Sequence, residues 1–331
     1  MKNENDSNLL RIDNTKRSEF VRCPQKYFLN YIKNIRPLTG SSALRYGLVW
    51  HDGLDAYYSE IQKNGWTKSG KEITSALVTM KKSWDEESAK CTYWNDYRTL
   101  ENCIQSFISY VDHFAYDCGM MEIIETEAPF KIYINPYEDD NIIGNFPGIE
   151  PFYFTGKRDL LIKLNGRTWL AEHKTTGQPL FKQTERLNRS AQIKGYTYAG
   201  IKEAEKNGTE PPEGVLVNFH HLSAYKSRSK DPAKAGKYGK PKIDFQRDVQ
   251  IFTEDDIKAW KFSFLFTTWQ IQHCHETGVF PKQDDSCYTY GRCAYSNLCD
   301  QNRPFDELNL EGYYIGEAWE VAKELEKENK G

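Results

Sequence analysis

The 331-residue sequence lacks an excess of either charge: 44 Lys and Arg stand against 47 Asp and Glu, a formal net charge of −3. That balance excludes a global basic field of the kind that gathers nucleic acid, so contact with a polyanion has to come from local patches. Long apolar runs are missing too. None approaches the ~20 residues that span a bilayer, and the opening MKNENDSNLLRIDN is polar, without the apolar stretch of a secretory leader. The expectation is a cytoplasmic protein with no membrane partner. In that compartment eight cysteines stay reduced, which excludes a disulfide framework and leaves buried thiols or metal ligands. No internal repeat or low-complexity linker divides the chain, so residues 1–331 read as a single domain. With 39% hydrophobic and 14% aromatic residues, it can bury a sizeable core.

What is present begins as helix. Between Thr15 and Ile32 the residues Phe20, Cys23, Tyr27 and Tyr31 recur at helical spacing. After Gly40, Leu44, Leu48, His51, Asp55 and Tyr58 step by three or four, which predicts a second helix with His51 near its inward stripe. Residues 52–118 are rich in Trp, Tyr and Lys without strand alternation and read as a helical subdomain. The period then changes. MEIIETEAPFKIYI, PFYFTGKRDLLIKL and RTWLAEHKTT are strand-like runs set off by Pro, Gly and Asn. A helix from about Glu185 to Lys206, strands in GVLVNFHHL and PKIDFQRDVQIF, and a long helix from Thr253 follow. That order predicts an α/β fold: a mixed central sheet flanked by helices, carrying residues 52–118 as a helical insertion.

The densest chemistry lies in GKRDLLIKLNGRTWLAEHK. Asn165-Gly166 between two alternating runs is a strong signal for a two-residue hairpin turn. If Leu164 pairs with Arg167, counting outwards places Asp159 opposite Glu172, and the two-residue period puts Lys174 on their face. Opposed carboxylates destabilise a sheet unless a cation compensates them. A hard divalent ion such as Mg²⁺ or Mn²⁺ fits, because it takes oxygen ligands and keeps waters for a phosphate substrate. The plainer alternative is a surface hairpin whose charges are solvated and paired.

Asp159 followed by Glu172-His173-Lys174 resembles the core motif of the PD-(D/E)XK nucleases, and GKRDLL with AEHKTT resembles their RecB-like branch. Gly47-Leu48-Val49-Trp50-His51 is similar to that branch's G-x-x-x-H motif, and Gln192 to Tyr196 to its Q-x-x-x-Y motif; Glu127 stands where it often carries a Glu. The resemblance implies a restriction-endonuclease-like core. It further implies that His51, Asp159, Glu172 and the backbone carbonyl of His173 hold the metal, with Lys174 orienting or activating the attacking water. On spacing alone, a single His on an apolar stripe reads equally as a hydrogen-bonded core residue. Gln192 and Tyr196, one turn apart, could touch a phosphate or simply pack, and Glu127 could be an ordinary charged strand residue.

Cys287, Cys293 and Cys299 follow one another with five residues between neighbours, and Cys23 lies in VRCPQKY far upstream. This resembles the clasp of AddB-like, Dna2-like and CRISPR-associated nucleases of the same branch, in which one early and three late cysteines hold a [4Fe–4S] cluster. The first late gap departs from the usual two residues. Zinc and plain reduced thiols therefore stay open beside the cluster. Cys91, Cys103, Cys118 and Cys274 show no metal spacing and are expected as buried thiols; His273 and His275, flanking Cys274, face apart on a helix.

From Tyr225 to Lys242 the chain carries Lys226, Arg228, Lys230, Lys234, Lys237, Lys240 and Lys242 against one acid, Asp231. Such a loop is either solvated surface or a track for a phosphate backbone. Taken together, the resemblance implies a metal-dependent DNA nuclease, an exonuclease acting on DNA ends or single strands in DNA repair or recombination, beside a helicase or recombinase partner. The rival readings are a DNA-binding or assembly module that keeps the fold without cutting, and an iron–sulfur electron carrier.

Overall fold

The computed structural model describes residues 9–67, 69–93, 96–138, 146–231, 234–289 and 291–317. The first eight residues of the polar N-terminal stretch lie outside this set. In chain order the elements are β1 (Arg11–Ile12), α1 (Asn14–Arg22), α2 (Pro24–Tyr27), β2 (Ile35–Pro37), β3 (Thr39–Gly40), α3 (Ser42–Asn64), α4 (Lys71–Lys90) and β4 (Thr92–Tyr93). Next come α5 (Leu100–His113), β5 (Met121–Ile134), β6 (Phe152–Leu164), β7 (Arg167–Thr176), α6 (Leu180–Leu187) and α7 (Ala191–Asn207). The remainder is β8 (Val215–Ser223), β9 (Lys242–Gln250), α8 (Glu254–Thr277), α9 (Ser296–Cys299) and β10 (Tyr313–Ile315).

The sheet runs β1-β6-β7-β8-β9, with β5 also beside β6. It is mixed: β6 and β7 pair antiparallel, β7 and β8 parallel, β8 and β9 antiparallel. This is the expected α/β architecture. The hairpin register is the one counted from the sequence, Leu164 against Arg167 through to Leu160 against Ala171. Asn165 and Gly166 have φ of 50° and 80°, the left-handed pair that a two-residue turn of this hand requires.

The chain divides into two compact units. The larger comprises residues 39–128 and 158–252. Its core packs Tyr46, Val49, Trp50, Leu54, Tyr57 and Tyr58 of α3 and Phe107 and Tyr110 of α5 against Leu160, Ile162, Ala171 and Leu216 of the sheet. Helix α3 presents this face because those residues recur every three or four positions, and Ser41 caps its start by accepting from the Leu44 amide. Strand β8 is buried along almost its whole length, as a strand covered on both faces should be.

The other unit comprises residues 1–38, 129–157 and 253–331. Phe152 and Phe154 pack on Trp260 and Phe264 of α8, whose start is closed by a reciprocal capping box of Thr253 and Asp256. A second cluster joins Leu29 and Ile35 to Tyr295 and Leu298. There β10 pairs antiparallel with β2, and the Tyr295 hydroxyl donates to the Ile35 carbonyl at 2.9 Å.

Two local expectations are corrected. The helix expected from Thr15 to Ile32 breaks at Cys23, which is extended (φ −165°) and caps α2. Pro24 is the reason, since it disfavours a helical residue before it yet suits the first position of a new helix. Among the cysteines expected to be buried, Cys103 and Cys274 are, but Cys91 is half-buried and Cys118 exposed. Both stand just beyond helix ends, at C-cap positions.

Candidate active site

The hairpin brings its charges to the edge where β6–β7 pairing ends. Beyond Leu160 and Ala171 the two strands no longer pair as a ladder, and the Asp159 carboxylate takes over, accepting from the His173 amide at 2.6 Å. Helix α3 supplies the next group. A Cβ on Gly47 would lie 3.3 Å from Thr175 Oγ1, so glycine permits a close approach of α3 to β7. His51, one turn later, then sets Nδ1 3.5 Å from Asp159 Oδ1. Glu127 comes from β5 with φ of 45°, a left-handed conformation costly for a side chain larger than Asn and of the kind that gathers at functional sites.

Donor atoms of His51, Glu127 and Asp159 all lie within 4.8 Å of one another. Glu172 stands beside them, 2% exposed; its Oε1 accepts from Lys174 and from Gln192 (3.0 Å), while Oε2 is buried without a hydrogen-bond partner among the described residues. Lys174 also donates to Gln192 Oε1 at 2.6 Å, and the Gln192 amide donates to Tyr196 Oη at 3.0 Å. Gln192 and Tyr196 thus share a face of α7, as their spacing predicted, and reach the acidic cluster through Lys174 and Glu172.

The electrostatics suit the cluster to a cation. Burial and the neighbouring Asp159 push the Glu172 carboxyl up to about 7, against the pull of Lys174. Burial also opposes charge on Asp159, but His51 and the His173 amide hold it well below the usual carboxylate range. On His51 burial opposes the charge, yet Asp159, Glu127 and Glu172 hold the imidazolium up to about 9. A carboxyl whose pKa is raised and an imidazole held charged both offset surplus negative charge, and the orphaned Glu172 oxygen is an acceptor still wanting a cation or donor. A divalent ion would do so more fully, and oxygen donors with one imidazole suit Mg²⁺ or Mn²⁺.

A family model of the PD-(D/E)XK nuclease superfamily matches residues 14–300. The chain belongs to that superfamily. This PD-(D/E)XK protein finds no match among curated proteins. The crystal structure of SSO0001 is similar at 11% identity, with 88% of this chain and 98% of that one covered and a TM-score of 0.27, a likeness too slight to carry an argument. Membership makes a metal-dependent nuclease, a phosphodiester hydrolase acting on nucleic acid, the coarse activity of the fold, and the donor cluster is where it would reside.

Elsewhere in this PD-(D/E)XK chain, Cys23, Cys287, Cys293 and Cys299 belong to one unit. Burial, together with Cys293 and Cys23, raises the Cys287 thiol, and burial, with Cys23, Cys293 and Cys287 and against Lys282, pushes Cys299 up to about 11. The Cys293 amide donates to the Cys287 carbonyl at 2.7 Å, closing the loop around Gly291. Among the described residues, these sulfurs form no group within 4.8 Å as the acidic cluster does. In the basic loop, Lys226 bridges to Tyr238 and lies 5.2 Å over its ring, so its base continues the β8–β9 hairpin.

Sequence reasoning missed one set of residues. Arg247 forms a two-pronged ion pair with buried Asp117 (2.7 and 2.8 Å) and donates from Nε to Asn218 Oδ1 at 2.6 Å. Asn218 in turn lies 3.5 Å from His173 Nδ1. The one signal in the sequence was a lone Asn inside the apolar run VLVNFHHL.

Proposed function

We propose that this superfamily member is a deoxyribonuclease of the RecB-like branch that uses Mg²⁺ or Mn²⁺. It works as an exonuclease on DNA ends or single strands, in repair or recombination, beside a helicase or recombinase. The observation that carries this reading is the convergence of His51, Glu127 and Asp159 within 4.8 Å, next to the unpartnered oxygen of Glu172 and the Lys174 ammonium. His51, Asp159, Glu172 and the His173 carbonyl would hold the ion, with Glu127 as a further carboxylate. When bound, the ion supplies a Lewis acid for a phosphodiester oxygen and lowers the pKa of the attacking water. Lys174 orients that water. Gln192 holds Lys174 and Glu172 together, and Tyr196 steadies Gln192. We read the whole chain as one nuclease domain with residues 52–118 as its helical insertion.

We also propose that Cys23, Cys287, Cys293 and Cys299 hold a [4Fe–4S] cluster that clasps the N- and C-terminal parts. Tetrahedral zinc is the poorer match, because Zn–S bonds of ~2.3 Å need thiolates ~3.8 Å apart. We read the protein's setting as cytoplasmic, where the eight cysteines stay reduced.

The test incubates wild type and Lys174→Ala with linear and circular, single- and double-stranded DNA in Mn²⁺, Mg²⁺ or EDTA. Metal-dependent digestion by wild type alone is expected, and cutting of linear DNA only marks an exonuclease. Bound but uncut DNA with every metal would turn the reading to a non-cutting module.

A further inference from the structure

The ion pair behind the site is costly to bury and touches none of the proposed metal donors directly. Asp117 is 1% exposed, in the turn after α5, and Arg247 lies on β9. With Arg247 half-buried and Asp117 buried, such an ion pair gains little stability over well-packed apolar residues of the same size, so its presence calls for another account.

The hydrogen bonds have a forced polarity. A guanidinium only donates, so the Asn218 atom facing Arg247 Nε must be the amide oxygen, and the amide nitrogen must face His173. His173 Nδ1 therefore accepts, and the ring proton sits on Nε2, which is buried without a partner among the described residues. Tyr58 stacks on the ring at 5.7 Å, Tyr110 meets it edge-on at 5.9 Å, and the two tyrosine hydroxyls bond each other at 2.8 Å. With Nδ1 accepting, the imidazole carries a single ring proton and no charge, so no further cation stands beside Lys174 and His51. On its other side His173 is tied by its main chain, the amide donating to Asp159 Oδ2. In a strand the carbonyl of a residue faces the same way as its amide.

We propose that Asp117, Arg247 and Asn218 form a buried positioning relay that fixes the tautomer and main-chain placement of His173, and through it the metal-binding orientation of Asp159. The relay rests on the reading of Asp159 and the His173 carbonyl as metal ligands. It links the end of the helical layer to the central residue of the Glu172-His173-Lys174 motif. Partners that orient a metal ligand from behind typically govern ~10- to 100-fold in metal affinity.

The experiment uses the full chain and Mn²⁺. Calorimetry compares Mn²⁺ binding by wild type, Asn218→Leu and the double variant Asp117→Leu/Arg247→Met, which removes the ion pair without stranding a charge. Both variants should bind Mn²⁺ ~10- to 100-fold more weakly while melting cooperatively. Nitrogen-15 spectra of the histidine rings should show His173 protonated on Nε2 in wild type and moved to Nδ1 in Asn218→Asp, whose carboxylate can only accept. Mn²⁺ binding within twofold of wild type in the folded double variant, or a wild-type His173 protonated on Nδ1, overturns the relay. If wild type binds Mn²⁺ through Asp159 but cuts no DNA, the nuclease reading fails and the relay stands.

Discussion

The acidic cluster and the cysteine region are assembled in different ways. At the first, strand register, one helix glycine and a left-handed Glu127 bring three donors within 4.8 Å, with the surplus charge offset by a charged His51 and a raised pKa at Glu172. At the second, four thiols, near enough for Cys23 and Cys293 to raise the Cys287 and Cys299 thiols, lie on short helices and loops, and among the described residues those sulfurs form no equally tight group. A site built on paired strands is set by the backbone before any ion arrives. One built on loops depends more on what it holds.

Breaking each region should therefore give different symptoms. Asp159→Ala should lower cleavage by more than ~10²-fold, as loss of a preorganised charge does, while DNA binding and melting temperature stay near wild type. Unchanged cleavage would remove Asp159 from the chemistry. Cys293→Ala should do the reverse: if the proposed cluster is present, anaerobically purified protein loses its brown colour and melts lower, because such a clasp would close a very long loop. A colourless, iron-free wild type would sink that expectation.

Glu127 sharpens the contrast, since its strain belongs to the site. Glu127→Gly relieves a left-handed side chain worth roughly 1–3 kcal/mol and loses a carboxylate, so Mn²⁺ affinity should fall while stability is retained or rises. A folded variant with undiminished Mn²⁺ affinity would remove Glu127 from the donor set. The smallest effect concerns His220, 1% exposed and stacked on Trp50 and Phe245, with both ring nitrogens unpartnered among the described residues. Burial lowers its pKa to about 3. Between pH 6.5 and 3 the unfolded chain binds a proton there that the folded chain refuses, so stability falls as pH falls, by up to ~1.4 kcal/mol per unit. His220→Phe should flatten that acid slope and leave pH 8 stability nearly unchanged; an unaltered slope would mean His220 does not carry it.

Much of the site could be read from the chain because local rules determine it. Asn165-Gly166 specified the turn, the turn specified the register, and the register placed Asp159 beside the Glu172-His173-Lys174 strand. Helical spacing alone set His51 on the inner stripe of α3 and Gln192 below Tyr196 on α7. The break at Cys23 was signalled by Pro24 and overridden in the reading by an apolar period that continues on both sides of it.

Sequence by itself therefore determined the fold class, the hairpin register and the identity of the charged residues, since these follow from steric periods of two and 3.6 residues and from turn chemistry. Tertiary structure alone decided that Glu127 belongs with His51 and Asp159, and that Asp117, Asn218 and Arg247 stand behind His173. Those contacts join residues up to 130 positions apart. No local period encodes them. They exist because three strands and a helix end are packed into one core, where each buried polar group has to find its partner.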